Sequence, residues 1–224
     1  MGMTKAEREE KLKARHDELA GFDKSQKRGN IRFVAGTDEV GRGPLAGPVV
    51  TACVVLPDDF DVLGIDDSKK LSEKKRTELD AVIRENALAY GIGMRDNKRI
   101  DEINILNATR EAMRDAVLAA DAMLKERTGS GIDLVMFDAI ELENLPIAQV
   151  SLIKGDATSL SIAAASIVAK VCRDTMMIEY ANEYPYYAFE KNKGYGTAAH
   201  YKGINEHGIT PIHRKSFLKN IYQY

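Results

Sequence analysis

A run of glycines and prolines near the start of the chain separates two segments that favour β-strands. The run, residues 41–48, holds three glycines and two prolines. The flanking segments, 31–36 and 49–56, are rich in β-branched and aromatic residues, which pack well on a pleated surface. Because the turn-forming run joins them directly, we predict two adjacent strands that form a hairpin.

The middle of the chain alternates helical and strand patterns. Helical spacing of apolar residues predicts helices at 72–86, 100–127 and 159–182. Short apolar runs predict further strands at 88–94 and 132–137, the latter of the kind that is buried on both faces. The resulting order β-β-α-β-α-β-α indicates an α/β protein.

The two ends of the chain read as helical additions to this core. Thr4 and Glu7 have capping-box spacing and begin a helix that is expected to end near Gly21, followed by a polar linker over 23–30. Its apolar stripe is thin, so we expect a weakly packed appendage without a catalytic role. Near the other end, Thr197 and Thr210 are predicted N-caps of two short helices.

Composition bounds the class of protein. The 224 residues are 44% hydrophobic and 29% charged, which is typical of one globular domain. Two distant cysteines suggest neither a disulfide framework nor a zinc cluster. No apolar run approaches the roughly 20 residues that span a bilayer, so we expect a cytoplasmic protein without membrane attachment.

A cluster of basic residues near the C-terminus is either a solvated face or a surface that contacts nucleic acid. Six lysines and arginines from residue 191 onward stand against two acids, Glu190 and Glu206. These basic residues are Lys191, Lys193, Lys202, Arg214, Lys215 and Lys219.

Four carboxylates stand at positions where catalytic acids are often found. Asp38 and Glu39 follow the first predicted strand, Asp138 follows the strand at 132–137, and Asp156 precedes the helix at 159–182. Single acids at such places also serve as turn or cap residues. Four of them together would repel one another unless a cation offset their charge, and oxygen ligands without His or Cys favour Mg²⁺ or Mn²⁺ over zinc.

A nucleotide-cofactor loop is the rival interpretation of the glycine-rich run. Residues 41–46 fit the loose dinucleotide fingerprint, but that fingerprint must open a helix. Here the run leads into a strand that begins after Pro48, so we reject cofactor binding.

Several motifs together resemble the bacterial ribonuclease HII family, over residues from about 31 to 217. They are GTDEVGRGPLAGP at 36–48, DSKKLS at 67–72, KGD at 154–156 with SIAAAS at 161–166, and KGYGT at 193–197. The resemblance implies an α/β RNase H-like fold, a mixed central sheet flanked by helices, with a small C-terminal helical segment. It divides the chain into an N-terminal extension at 1–30, a catalytic core at 31–185 and a substrate-gripping segment at 186–224.

The resemblance also implies a site. The metal-binding and catalytic acids of the family correspond to Asp38, Glu39, Asp138 and Asp156. The element that contacts the ribonucleotide 2′-OH corresponds to Gly41, Arg42 and Gly43, and the tyrosine near that ribose to Tyr195. Lys69 and Lys70 are similar to family lysines near the substrate backbone.

The implied activity is endonucleolytic hydrolysis of RNA in RNA/DNA hybrids and 5′ to single ribonucleotides in duplex DNA. Two divalent metal ions, Mn²⁺ or Mg²⁺, would act in it and leave 3′-OH and 5′-phosphate ends. We expect a monomer that removes ribonucleotides during DNA replication and repair.

Three alternatives make different demands on the sequence. Ribonuclease HIII resembles this core, but thirty mostly polar N-terminal residues cannot build its additional substrate-binding domain. A binding module without catalysis is disfavoured because all four acids are present. A transposase or junction resolvase of the same fold would cut DNA that lacks ribonucleotides.

Overall fold

The computed structural model describes residues 3–218, which form a five-stranded sheet with helices on both faces. The strands are β1 Val34–Val40, β2 Val49–Val55, β3 Ala89–Arg95, β4 Leu134–Asp138 and β5 Ala148–Leu152. The helices are α1 Lys5–Gln26, α2 Glu73–Asn86, α3 Asn97–Ile103, α4 Ile105–Thr128, α5 Leu160–Glu183, α6 Phe189–Asn192 and α7 Ala198–His207. None of these helices is both long and apolar enough to cross a membrane.

The sheet is mixed, with the strand order β3-β2-β1-β4-β5. β1 and β2 pair antiparallel as the predicted hairpin, and β2 pairs antiparallel with β3. β4 lies parallel to both β1 and β5. The predicted mixed sheet flanked by helices is therefore confirmed.

The core has two layers, one on each face of the sheet. Because side chains alternate along a strand, Ala52 and Val54 of β2 pack with α5 and α2, while Cys53 and Val55 pack with α4. The alanine-rich start of α5 lies so close to β1 that a Cβ atom at Gly36 would overlap its backbone. This close approach fixes where α5 begins relative to the end of β1.

The N-terminal helix is longer and better packed than predicted. α1 continues through Gly21 to Gln26, so half of the predicted linker is helical. Leu19 is fully buried, and the Asp23 carboxylate accepts hydrogen bonds from the backbone N–H and the hydroxyl of Ser161 at 2.8 and 2.7 Å. The prediction of a weakly packed appendage is wrong, since Asp23 ties α1 to the first turn of α5.

Other elements differ from their predicted bounds for identifiable reasons. β1 continues beyond Gly36 to Val40, so that its acids lie within the strand. The predicted helix at 100–127 is two helices, separated by Asn104 in the left-handed region at φ 67°. β5 escaped prediction because it is partly exposed and polar. Thr210 begins no helix, and its N–H donates instead to His213.

Candidate active site

Sheet topology brings the first two acids together. β1 and β4 run parallel, and the last paired residues of their ladder are Thr37 and Phe137. Asp38 and Asp138 come next on the two strands, so both follow the ladder at its C-terminal end. Central parallel strands of this kind place the residues that end them at one edge of the sheet.

Asp156 reaches the same edge through a short turn after β5. It lies in the 3₁₀ turn Gly155–Ala157, and the backbone N–H of Gly155 donates to Asp138 Oδ1 at 2.8 Å. This hydrogen bond joins the loop of the third acid directly to the second. The turn begins at Lys154, which adopts the left-handed conformation at φ 59°.

Burial and mutual repulsion govern the charge of the cluster. Burial raises the pKa of Asp38 well above its usual range, and the carboxylates of Glu39 and Asp138 raise it further. Burial likewise raises the pKa of Glu39, against the opposing effect of Arg42. The pKa of Asp156 is raised by burial and then by nearby carboxylates. These carboxyl groups therefore lie where their ionised form is costly in free energy.

Each carboxylate has a local partner. Asp38 Oδ1 accepts from the N–H of Glu39 at 2.7 Å, and Arg42 Nη1 donates to Glu39 Oε1 at 3.2 Å. Within residues 3–218, no three His, Cys, Asp or Glu side chains converge closely enough to hold a metal ion. The four acids thus share one edge of the sheet but not one coordination shell.

The donor atoms nevertheless suit a hard divalent cation. Glu39 Oε2 is buried and has no hydrogen-bond partner among the described residues, a costly condition for a carboxylate oxygen. The nearby acidic donors are all oxygens, which Mg²⁺ and Mn²⁺ prefer. A cation at this oxygen would satisfy it and would offset the charge that raises the pKa of Asp38.

The two predicted substrate lysines have different surroundings. Lys69 Nζ lies 3.9 Å from Asp156 Oδ2, and the side chain is 80% exposed. Burial lowers the pKa of Lys69, but Asp67 and Asp156 outweigh that effect, so the net shift is upward. Lys70 instead donates to Asp66 at 3.1 Å. Only Lys69 stands beside the acids.

Two buried arginines hold the loop at 41–48 in place. Arg173 of α5 donates to the carbonyl oxygens of Pro48, Ala46 and Lys193 at 2.9, 3.1 and 2.9 Å. Arg214 donates to those of Gly41, Arg42 and Gly47 at 2.6 to 3.0 Å. Both side chains are fully buried. Their targets are carbonyl groups, so they act as fixed clamps on the backbone.

Sequence reasoning missed both clamps. Arg173 carried a signal, because Ala169 and Met177, one turn away on either side, are buried and place it on the apolar stripe of α5. Arg214 carried none, since it lies in an irregular segment and was counted with the basic residues. Its hydrogen-bond partners are all carbonyl groups of the distant 41–48 loop.

The same loop contacts Tyr195. Leu45 N–H donates to Gly194 O at 2.8 Å, which joins the two segments. A Cβ atom at Gly43 would lie 3.4 Å from Tyr195 Cε1, and the tyrosine side chain is 47% exposed. The structure therefore brings Tyr195 and the 41–43 element together, as the resemblance implies for two parts of one site.

Two members of the basic cluster near the C-terminus do not face solvent. Arg214 is buried as a clamp, and Lys193 is 8% exposed and donates to the carbonyl of Glu190. Lys202 lies 3.9 Å from Glu206. Lys219 and the end of the predicted segment at 186–224 lie outside the described residues. The count of lysines and arginines overstated the charge that faces solvent.

Comparison with known proteins gives consistent results. The family model described as Ribonuclease HII matches residues 35–220. The Ribonuclease HII of Ruminiclostridium cellulolyticum is 47% identical over 220 residues, which are 95% of this chain and 83% of that protein.

Two solved structures share the fold. The ribonuclease H2 from Pyrococcus horikoshii OT3 gives a TM-score of 0.69 at 22% identity, over 86% of this chain and 98% of that one. Bst-RNase HIII in complex with Mn²⁺ gives 0.58 at 20% identity, over 82% and 65%. This likeness confirms the predicted RNase H-like fold.

Proposed function

The chain belongs to the ribonuclease HII family of endonucleases, which hydrolyse RNA paired with DNA, and we propose that it also cuts 5′ to a single ribonucleotide in duplex DNA. One observation carries this proposal. Asp38 and Glu39 of β1 lead directly into the clamped loop, whose Gly43 lies beside the ring of Tyr195. The pairing of β1 with β4 places Asp138 next to Asp38. Reactive groups and groups able to read a ribose thus adjoin one another.

The clamp by Arg214 orients the loop for donation. In a trans peptide the C=O and N–H point in opposite directions. Because Arg214 binds the carbonyls of Gly41 and Arg42, the N–H groups of Arg42 and Gly43 point away from it. Neither N–H donates a hydrogen bond within residues 3–218, and both residues are exposed. These two N–H groups are the donors that we assign to the 2′-OH.

Reading the 2′-OH is what distinguishes RNA from DNA at a single position. The absence of a side chain at Gly43 lets the ribose approach the loop, and the ring of Tyr195 borders that approach. A ribonucleotide would therefore meet donors on one side and an aromatic face on the other. A deoxynucleotide would leave the donors without an acceptor, which costs affinity.

The acids Asp38, Glu39, Asp138 and Asp156 would hold Mn²⁺ or Mg²⁺, which when bound activate water and stabilise the leaving 3′-oxygen. The carboxylates themselves would position the cations, and the N–H of Gly155 keeps Asp138 from turning away. Lys69 beside Asp156 is placed to attract a phosphate. That Bst-RNase HIII has been solved with Mn²⁺ supports the choice of cation. The products would be 3′-OH and 5′-phosphate ends.

We place this activity in the cytoplasm and assign to it the removal of ribonucleotides during DNA replication and repair, by a monomer. RNA/DNA hybrids and ribonucleotide-containing duplex DNA are the partners that this assignment requires. The division of the chain at residues 31 and 186 stays a prediction.

The test is cleavage of an end-labelled DNA duplex with one ribonucleotide, in Mn²⁺, Mg²⁺ or EDTA, beside an all-DNA duplex. We expect cutting 5′ to the ribonucleotide that requires metal and leaves the all-DNA duplex intact. Binding without cutting would favour a non-catalytic module. Cutting of both duplexes would retain a nuclease but refute the 2′-OH assignment.

A further inference from the structure

Two buried histidines connect Thr210 to the backbone of Tyr195. The N–H of Thr210 lies 2.8 Å from His213 Nδ1, and His213 Nε2 lies 3.0 Å from His200 Nε2. His200 Nδ1 in turn lies 3.0 Å from the carbonyl oxygen of Tyr195. His200 is 0% exposed and His213 is 1% exposed. The contacts form one unbroken path of hydrogen bonds.

This path determines the protonation of both rings. The N–H and the hydroxyl oxygen of Thr210 both lie 2.8 Å from His213 Nδ1. Because a backbone N–H only donates, we assign Nδ1 as the acceptor and place the proton of His213 on Nε2. That proton is donated to His200 Nε2, which must then be unprotonated. His200 therefore carries its proton on Nδ1 and donates it to Tyr195 O. With this assignment the path runs in one direction, from Thr210 to the carbonyl oxygen of Tyr195.

Charging either ring would break the path. A second proton on His200 would set two N–H groups against each other, and one on His213 would oppose the Thr210 N–H. The rings pack against Tyr187 and Phe189, and the Tyr187 hydroxyl donates to Gly208 O. Burial, and after it the neighbouring His200, lower the pKa of His213 to about 4. Burial also lowers the pKa of His200.

Tyr195 depends on its backbone for its position. Its phenol oxygen makes no hydrogen bond within the described residues, while its carbonyl accepts from Thr197 N–H as well as from His200. We propose that His200 and His213 are positioning residues, which fix Tyr195 beside Gly43 for recognition of the ribonucleotide. The proposal rests on the ribose-reading role given to Tyr195 in the proposed function.

The tautomers are measurable without any activity. Long-range ¹H–¹⁵N spectra of the full-length protein at pH 7 report which nitrogen of each of the four histidines is protonated. We expect a neutral Nδ1–H form for His200 and a neutral Nε2–H form for His213, with signals assigned from single substitutions. An Nε2–H form or a charged ring at His200 would overturn the relay, whatever the enzyme does.

Two substitutions of His200 separate positioning from stability. The amide nitrogen of His200→Asn occupies the place of Nδ1 and keeps the bond to Tyr195, but loses His213. The longer side chain of His200→Gln reaches the place of Nε2, keeping His213 and losing Tyr195. Each variant loses one buried hydrogen bond, so their unfolding midpoints should fall by similar amounts.

The readout is single-turnover cleavage at a single ribonucleotide, with His207→Gln as the control because His207 is exposed. We expect His200→Gln to be about tenfold slower than wild type and His200→Asn within about threefold. Equal rates for the two variants would overturn the positioning role. A wild-type protein that cannot cut this substrate would refute the proposed function and with it this role, while the tautomers would still test the relay.

Discussion

Replacing Arg214 with methionine removes the donors that hold three carbonyl groups of the 41–48 loop. The guanidinium makes four contacts to the carbonyl oxygens of Gly41, Arg42 and Gly47, between 2.6 and 3.0 Å. Methionine fills a similar apolar volume but donates nothing. The loop should then lose the orientation that points the N–H groups of Arg42 and Gly43 outward.

The expected magnitude follows from the count of acceptors. Each bond from a charged donor contributes about 1.5 to 3 kcal/mol to stability, and three acceptors lose theirs. Removing a buried guanidinium that has only carbonyl partners offsets several kcal/mol of that loss. We expect a net decrease of about 3 kcal/mol in the free energy of unfolding, or about 6 to 12 °C in Tm for a chain of this length.

Urea unfolding followed by circular dichroism measures this change, and cleavage at a single ribonucleotide measures its functional consequence. We expect cleavage to fall by at least about tenfold, because the 2′-OH donors lose their direction. Lys202→Met is the matched control, since Lys202 is a 72% exposed cation in the same segment. A loss of stability below about 0.5 kcal/mol, with wild-type cleavage, would refute the clamp.

Three further predictions concern the acids and the lysines. Asp138→Asn should abolish turnover while sparing duplex binding, because an amide is a poor ligand for a divalent cation; retained turnover in the cleavage assay would remove Asp138 from the site. Asp38→Asn should raise Tm in EDTA by about 2 to 4 °C through relief of repulsion, and a lower Tm in differential scanning fluorimetry would contradict this. Lys69→Ala should weaken duplex binding at low salt more than Lys70→Ala, since Lys70 is paired with Asp66; equal Kd values by fluorescence anisotropy would count against it.

Local patterns predicted the framework of the fold. The β1–β2 hairpin follows from a turn-forming run between β-branched segments. The helix predicted at 159–182 is α5, which begins at Leu160 after its N-cap Ser159. The position of Asp138 at the end of its strand also came from the sequence, whereas Asp38 lies within β1. Their proximity needed the parallel pairing of β1 with β4, which periodicity alone does not specify.

Contact between distant segments explains two of the misses, and a contact within one turn explains the third. Thr210 resembles an N-cap, but its N–H is taken by His213 and the turn stays irregular. Asp23 resembles a linker residue, but Ser161 buries it and extends α1. Arg214 resembles a surface cation, but the carbonyls of the 41–48 loop bury it. For Asp23 and Arg214 the deciding partner lies far away in sequence, whereas His213 is only three residues from Thr210.

The central claim is that the carboxylates at this edge of the sheet bind the divalent cations that catalysis requires. Titration with Mn²⁺, with free ion read by electron paramagnetic resonance, tests it most directly. The wild-type protein should bind Mn²⁺, and Asp38→Asn, Glu39→Gln, Asp138→Asn and Asp156→Asn should each weaken binding. Glu102→Gln, an exposed acid paired with Arg99, should not. Binding that is unchanged in all four variants, or absent from a wild-type protein that cuts in EDTA, would contradict the account.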